Sequence, residues 1–192
     1  MLNVYIMNIN EVDLSKPHKI SSIRAEKVAK LKKEEMKKQS VAAELLINKG
    51  MEELFPDIET PVIWEYDKYG KPYLLNYPDV YMNVSHSGEY AVCAFADTPV
   101  GIDIQYMRDV NLNVIDRYFT NEESEYIKSY TEKFYELWVK KESFSKAVGR
   151  GLQLPLKEIS VLEDTVLYNG DVYKFKPHYA DKEYKMCICI KE

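Results

Sequence analysis

The sequence predicts an α+β protein of two similar halves, each an antiparallel sheet packed with helices. Three observations carry this. Segments with strand and helix character follow the order strand, helices, strands, then helices, strands. Short turns rich in Gly, Asn and Pro join the strand-like segments, and such connections favour antiparallel pairing. The composition is that of a folded globule, 46% hydrophobic and 30% charged over 192 residues. That length suffices for one ordinary domain or two small, tightly packed halves. The break is expected near residues 101–109, dividing the chain into 1–101 and 102–192.

The elements follow in order. Leu2, Val4 and Ile6 alternate, the period of a strand. "SSIRAEKVAKLKKEEMKKQSVAAELLINKG" is helical in composition, with Gly50 as its stop. It concentrates Arg24, Lys27, Lys30, Lys32, Lys33, Lys37 and Lys38 in an acidic chain, and a solvated helix face is the plain explanation. Val62, Trp64 and Tyr66 alternate before a turn at Tyr69-Gly70. Val80, Met82 and Val84 alternate against Tyr81, Asn83 and Ser85. "EYAVCAFADTPVGIDIQ" reads as a strand, a tight turn at Asp97-Thr98-Pro99 and a second strand. Thr120 with Glu123 three residues later is a capping-box pattern, and a further helix covers about 132–148. After Pro155, "EISVLED", "TVLYNG", "DVYKFK" and "YKMCICI" are strand-like, with a hairpin signal at Asn169-Gly170.

Charge and cysteine content narrow the function. The net charge of −5 lacks the basic footprint of a nucleic-acid binder. Cys93, Cys187 and Cys189 do not form a disulfide framework, and the Cys187/Cys189 pair reads as core packing on one strand face. The opening residues lack the basic start and small-residue cleavage site of a signal peptide, and no apolar run approaches a bilayer-spanning length. A soluble cytoplasmic protein is expected.

Three clusters carry chemical potential. In "GIDIQ", strand alternation puts Asp103 and Gln105 on one face and Ile102 and Ile104 on the other. Two side-chain oxygens side by side suit a hard cation, or a hydrogen-bonded structural role. In "ELWVKKESFSKAVGRG", helical spacing lines up Trp138, Lys141, Glu142, Ser145 and Lys146, beside an apolar face of Leu137, Phe144 and Val148. Glu142 and Lys146 could form a simple i,i+4 ion pair, or meet a metal and a phosphate. In "NVSHSG", Ser85, His86 and Ser87 precede Gly88 at a strand end. The choices there are a phosphate cradle, a Ser-His nucleophile or a structural histidine. The nucleophile is disfavoured because adjacent strand residues point to opposite faces.

Together these clusters resemble the Sfp-type 4'-phosphopantetheinyl transferases. That family pairs a Gly-Ile/Val-Asp strand with a downstream Trp-x-x-Lys-Glu-x-x-x-Lys helix, here "GID" at Gly101–Asp103 and "WVKKESFSK" at Trp138–Lys146. "NVSHSG", "YGKP" (Tyr69–Pro72) and "GRGLQLPL" match further family blocks, so the likeness covers nearly the whole chain. The resemblance implies an intramolecular pseudodimer with coenzyme A between its halves. It also implies transfer of the phosphopantetheine arm to a serine of an apo carrier protein, with release of adenosine 3',5'-bisphosphate. Asp103 and Glu142 would be metal carboxylates, with Gln105 as a third ligand where many relatives have Glu. The cation would be magnesium, with manganese as the alternative. Asp103, Glu142 and Lys146 would be catalytic, Glu142 serving as base. Arg24, Lys27, Lys71, Pro72, Ser85, His86, Lys141 and Lys146 would bind coenzyme A.

A basic residue common in the family is Gln39 here, with Lys38 adjacent but about 100° away around a helix. "YMRDVNLNVIDRYFTNEE" holds Leu112, Val114, Tyr118 and Phe119, which would either dock the carrier or fill the core. A monomer without nucleic-acid or membrane partners is expected. The rival functions are a non-catalytic coenzyme A or nucleotide-binding module and a magnesium-dependent phosphohydrolase.

Overall fold

The computed structural model describes residues 1–108, 110, 112–129 and 132–192, without the side chains of Leu112, Asn113, Ser129 and Leu152. Its elements are β1 (Leu2–Asn8), α1 (Ser22–Lys30), α2 (Glu34–Leu54), β2 (Trp64–Tyr66), β3 (Pro72–Leu74), β4 (Tyr81–Ser87), β5 (Tyr90–Ala96) and β6 (Val100–Tyr106). They continue with α3 (Leu112–Tyr118), α4 (Asn121–Ser129), α5 (Glu132–Val148), β7 (Thr165–Tyr168), β8 (Asp171–His178) and β9 (Tyr184–Lys191). One antiparallel sheet has the order β1-β5-β4 and another the order β6-β9-β8-β7, with β2-β3 a separate hairpin.

Alternation along β5 explains how the sheets stack. Ala91, Cys93 and Phe95 join the core under α2, with Leu46, Ile47 and Met51. Val92, Ala94 and Ala96 face the other way and pack with Val100, Ile102 and Ile104 of β6 and Met186 and Ile188 of β9. A strand buried on both faces reads as a continuous apolar run, as "YAVCAFA" does. The second core lies between α5 and the larger sheet, where Leu137 and Phe144 meet Phe175, Cys187 and Cys189. The three cysteines are free and buried, and burial pushes the Cys187 thiol up to about 11, which leaves it inert. No helix among the described residues is long and apolar enough to cross a membrane.

Several local expectations hold. Thr120 N donates to Glu123 Oε2 (2.8 Å) and Glu123 N to Thr120 Oγ1 (3.2 Å), both halves of the capping box. Asn169 and Gly170 carry positive φ, as a type I′ hairpin requires.

The first helical run is two helices, in keeping with the expected order of strand, helices, strands. Lys27 and Lys30 sit in the last turn of α1 and Glu34 and Glu35 in the first turn of α2, each charge favourable to its helix dipole. Other expectations are corrected. Gly50 does not stop α2; it lies within it, where a Cβ would overlap the Phe95 ring. "EISVLED" is irregular, with Val161 N donating to Glu123 Oε1 (2.7 Å). The tight turn after β5 does not produce an antiparallel pair either. The chain passes from one sheet to the other there, and β6 pairs with β9 from Val100↔Ile190 to Tyr106↔Tyr184. Both faces of β5 and the apolar face of β6 are needed for burial, and stacking satisfies them where pairing would not.

Candidate functional site

The edge strands of the two sheets, β4 and β6, run side by side without forming a ladder. Alternate polar residues of β4 bridge them. Asn83 Oδ1 accepts from Ile102 N (2.9 Å), Ser85 Oγ donates to Asp103 Oδ1 (2.8 Å), and Ser87 Oγ accepts from Tyr106 N (3.0 Å). The period-2 polar face of "NVSHS" is therefore a seam, and Asn83 and Ser87 belong to it as much as Ser85. Sequence reasoning singled out Ser85, His86 and Ser87 and gave Asn83 no role, although the alternation puts Asn83 on the same face as Ser85 and Ser87.

Helix α5 lies over β6 at Gly101. A Cβ on Gly101 would collide with the Ser143 carbonyl and the Ala147 amide, so this glycine permits the close approach. The approach brings Lys146 Nζ to Asp103 Oδ1 (2.6 Å), Ser85 Oγ (3.0 Å) and the Ile102 carbonyl (3.1 Å). Asp103 is only 2% exposed. Its other oxygen accepts from Gln105 Nε2 (3.1 Å). Placed this way, Gln105 braces Asp103 through its amide nitrogen and offers its oxygen only after the amide turns over.

Glu142 lies one turn before Lys146. Burial pushes its carboxyl up from the ordinary value, Lys146 opposes the rise and the Asp103 charge adds to it. The structure thus brings Asp103, Glu142, Lys146, Ser85 and Gln105 together.

His86 stands at the margin of this group. Crowding by the protein pushes its imidazole down, helped by the positive charges of Lys146, Lys27 and Arg24, while Asp103 opposes. Of these three cations, Lys146 is paired with Asp103 and Arg24 with Glu44, which leaves Lys27 as the exposed one. Arg24 is buried. Its Nε donates to Glu44 Oε2 (3.0 Å), its Nη1 to Ser40 Oγ (3.4 Å), and its guanidinium lies 4.8 Å over the Trp64 ring. Lys27 is exposed.

Lys71 and Pro72 lie farther along. Pro72 lines an open cavity of about 480 Å³ with Tyr69, Tyr81 and Arg150. Lys71 Nζ donates to the carbonyls of Val100 (3.2 Å), Lys146 (2.7 Å) and Ala147 (3.4 Å), joining the β2–β3 hairpin to the C-terminal end of α5. A similar cavity between α5 and β9, lined by Glu136, Lys140, Tyr179 and Lys185, lies away from all these residues.

Burial pushes the Lys71 pKa down from 10.5 to about 8. The folded chain then releases this proton at lower pH than the unfolded chain. The contribution of Lys71 to stability is complete above 10.5 and is lost as pH falls through 8. Denaturant unfolding of wild type and Lys71→Met should therefore show the wild type gaining on the variant as pH rises from 8 to 10.5. A difference that stays flat across that window would disprove the assignment.

One expectation is corrected outright. Lys141 does not join the coenzyme A set. Its ammonium is fully buried, paired with Glu123 Oε2 (2.6 Å) and donating to the carbonyls of Leu156 (2.8 Å) and Ile159 (2.6 Å). The expected single face of α5 divides because its residues spread over a wide arc at about 100° per residue. Trp138 packs on Phe134, Phe119 and Tyr118, and Ser145 donates to the Gly151 carbonyl (2.7 Å). Of the five residues expected on that face, Lys146 bonds to Asp103 on β6 and Glu142 responds to the Asp103 charge. Of the segment expected either to dock a partner or to fill the core, Phe119 is core, Val114 and Tyr118 pack against it half-buried, and the Leu112 side chain lies outside the described residues.

Comparison with known proteins gives concordant matches. The signature of the 4'-phosphopantetheinyl transferase superfamily matches residues 99–189, which span β6, α5 and the larger sheet. A 4'-phosphopantetheinyl transferase of Bacillus subtilis is 33% identical over 182 residues, covering 88% of this chain and 81% of the relative. The 4'-phosphopantetheinyl transferase Sfp of Bacillus subtilis strain 168 is 30% identical with the same coverage. The human L-aminoadipate-semialdehyde dehydrogenase-phosphopantetheinyl transferase is 32% identical over 166 residues, 76% of this chain and 54% of that one.

Proposed function

We infer the chemistry from one premise: the chain belongs to the 4'-phosphopantetheinyl transferase superfamily. It transfers the 4'-phosphopantetheine arm of coenzyme A to a serine hydroxyl of an apo carrier protein and releases adenosine 3',5'-bisphosphate. The observation that carries the site assignment is the convergence of Asp103, Glu142, Lys146 and Ser85 where β4, β6 and α5 meet.

The donor set fits a divalent cation. Asp103 is a buried carboxylate, and the Glu142 carboxyl, raised first by burial and further by the Asp103 charge, would be favoured in its charged form by a nearby cation. Among the described residues no group of three or more His, Cys, Asp or Glu is placed to hold a metal. Two carboxylates completed by substrate phosphate oxygens are what magnesium commonly takes. Asp103 and Glu142 would hold it, with the Gln105 oxygen as third ligand once its amide turns. When bound, magnesium or manganese would neutralise charge on the diphosphate and on the leaving bisphosphate.

The protein's own groups do the rest. Lys146 supplies fixed positive charge where negative charge grows on the leaving oxygen. Ser85 and His86 hold phosphate oxygens, with Arg24 and Lys27 beyond them toward the 3'-phosphate and the hairpin of Lys71-Pro72 toward the adenine. The carrier serine oxygen attacks the phosphorus that bears the pantetheine arm. The bond from that phosphorus to the adenosine bisphosphate oxygen breaks, and the serine proton passes to Glu142, directly or through water. Burial raises the Glu142 pKa, the direction that makes a carboxylate a stronger base. The two sheet-and-helix units, dividing near residue 101, would form a pseudodimer with coenzyme A at their seam. A cytoplasmic monomer completes this reading.

The test is intact mass spectrometry of apo carriers from fatty acid, polyketide and nonribosomal peptide systems, incubated with this protein, coenzyme A and magnesium. A gain of one phosphopantetheine arm is expected on at least one carrier. Hydrolysis of coenzyme A without carrier modification would indicate a phosphohydrolase. Binding without either reaction would indicate a coenzyme A-binding module.

A further inference from the structure

The turn between β4 and β5, Gly88-Glu89, is held by far more than a two-residue hairpin needs. From α2, Gln39 Nε2 donates to the Gly88 carbonyl at 2.9 Å. On β9, the Tyr184 hydroxyl accepts from Glu89 N at 2.9 Å. From the 3-10 turn after β1, Ile9 N donates to the Glu89 carbonyl at 2.8 Å and Asn10 Nδ2 to Glu89 Oε1 at 3.2 Å. The neighbouring Ser87 accepts from Tyr106 N of β6. Elements from both sheet units therefore converge on three consecutive residues.

The geometry is closely fitted. Gly88 has φ +52°, the first central position of a two-residue hairpin, where glycine serves. A Cβ there would collide with the Tyr184 hydroxyl. The Tyr184 ring stands edge-on to Tyr90 (4.9 Å) and packs on Tyr106 (5.2 Å). Gln39 is 6% exposed within α2, and its amide also reaches Glu35 Oε1 (3.3 Å). A buried amide aimed at a carbonyl 49 residues away is a tertiary contact.

The turn leads directly into the phosphate-facing residues. β4–β5 pairing runs Ser85↔Val92, His86↔Ala91 and Ser87↔Tyr90, so a shift of the turn moves His86 and Ser85 with it. We propose that Gln39 and Tyr184 are positioning residues for coenzyme A: they clamp the Gly88-Glu89 turn from the two sheet units and so set where Ser85 and His86 meet the phosphates. This rests on the transferase reading of the site. Neither residue touches the substrate. Each acts through the turn, so the effect falls on coenzyme A binding and spares both the carrier and the base.

The experiment compares wild type, Gln39→Leu, which keeps the bulk and removes the donor, and Tyr184→Phe, which keeps the stacked ring and removes the acceptor. Three quantities are read: calorimetric affinity for coenzyme A with magnesium, KM and kcat for each substrate in carrier modification, and melting temperature. Each loss of a buried hydrogen bond should weaken coenzyme A binding and raise its KM about tenfold. Carrier KM should stay within about twofold, and kcat should change little. Unchanged coenzyme A affinity in both variants overturns the proposal. So does a loss that appears equally in both KM values, or that only tracks a fall in melting temperature, because either denotes general structural support. The binding arm stands apart from turnover. A wild type that binds coenzyme A but modifies no carrier refutes the transferase reading while the clamp is still decided by affinity, and a wild type that does not bind coenzyme A refutes both.

Discussion

Glu142→Gln is expected to lower kcat/KM for carrier modification by about 10²–10⁴-fold while the folded protein stays as stable or becomes more so. On the proposed mechanism, the activity loss follows because the amide could neither take the serine proton nor carry charge toward a cation held with Asp103. The stability sign follows from the raised carboxyl of Glu142, set first by burial. A carboxyl whose folded pKa exceeds its unfolded value adds stability that is complete below the unfolded pKa and lost as pH rises through the folded one. At neutral pH the charged side chain is therefore a burden, and the neutral amide removes it. Steady-state kinetics and thermal melting on the same preparation check both halves. A melting temperature that collapses along with activity would assign Glu142 to folding instead. Gln105→Glu makes the matching contrast: it adds an oxygen ligand beside Asp103, and activity should be kept or improved.

The largest stability effect is expected at Glu123. Its carboxylate and the Lys141 ammonium are both fully buried, 2.6 Å apart, and Glu123 also accepts from Thr120 N and Val161 N. Removing one member of such a pair strands an uncompensated charge, and Glu123→Ala should cost about 3–5 kcal/mol in denaturant unfolding. Adding Lys141→Met should recover a large part, because the stranded charge is gone. A loss under about 1 kcal/mol, or no recovery in the double variant, would mean the pair does not fix α4, α5 and the segment before β7 to one another. The neighbouring lysines of "KKES" illustrate how position decides role. Lys141 is committed to the core, and Lys140 donates to the Glu163 carbonyl (3.0 Å) and Asp164 Oδ1 (3.3 Å).

Much of this protein could be read from the chain alone. Alternation in "NVYIMN", "YMNVSHS" and "GIDIQY" is a local steric property of extended backbone, so it marks β1, β4 and β6 without any knowledge of their neighbours. The Thr120/Glu123 box and the Asn169-Gly170 turn are equally local, each closed by bonds or dihedrals within a few residues. Asp103, Glu142 and Lys146 were legible because they sit in motifs of fixed spacing. Only the tertiary structure decided what each face meets. No local signal sends the chain at Pro99 from one sheet to the other, since that choice follows from burying both faces of β5. None sends Lys141 inward while Glu142, about 100° around the same helix, responds to the Asp103 charge. Nor could spacing show that Asn83, Ser87, Gln39 and Tyr184 bond to groups far along the chain. Sequence periodicity fixes the direction of a side chain relative to its own backbone. The partner it finds is set by how the sheets and helices stack, and that is a property of the whole fold.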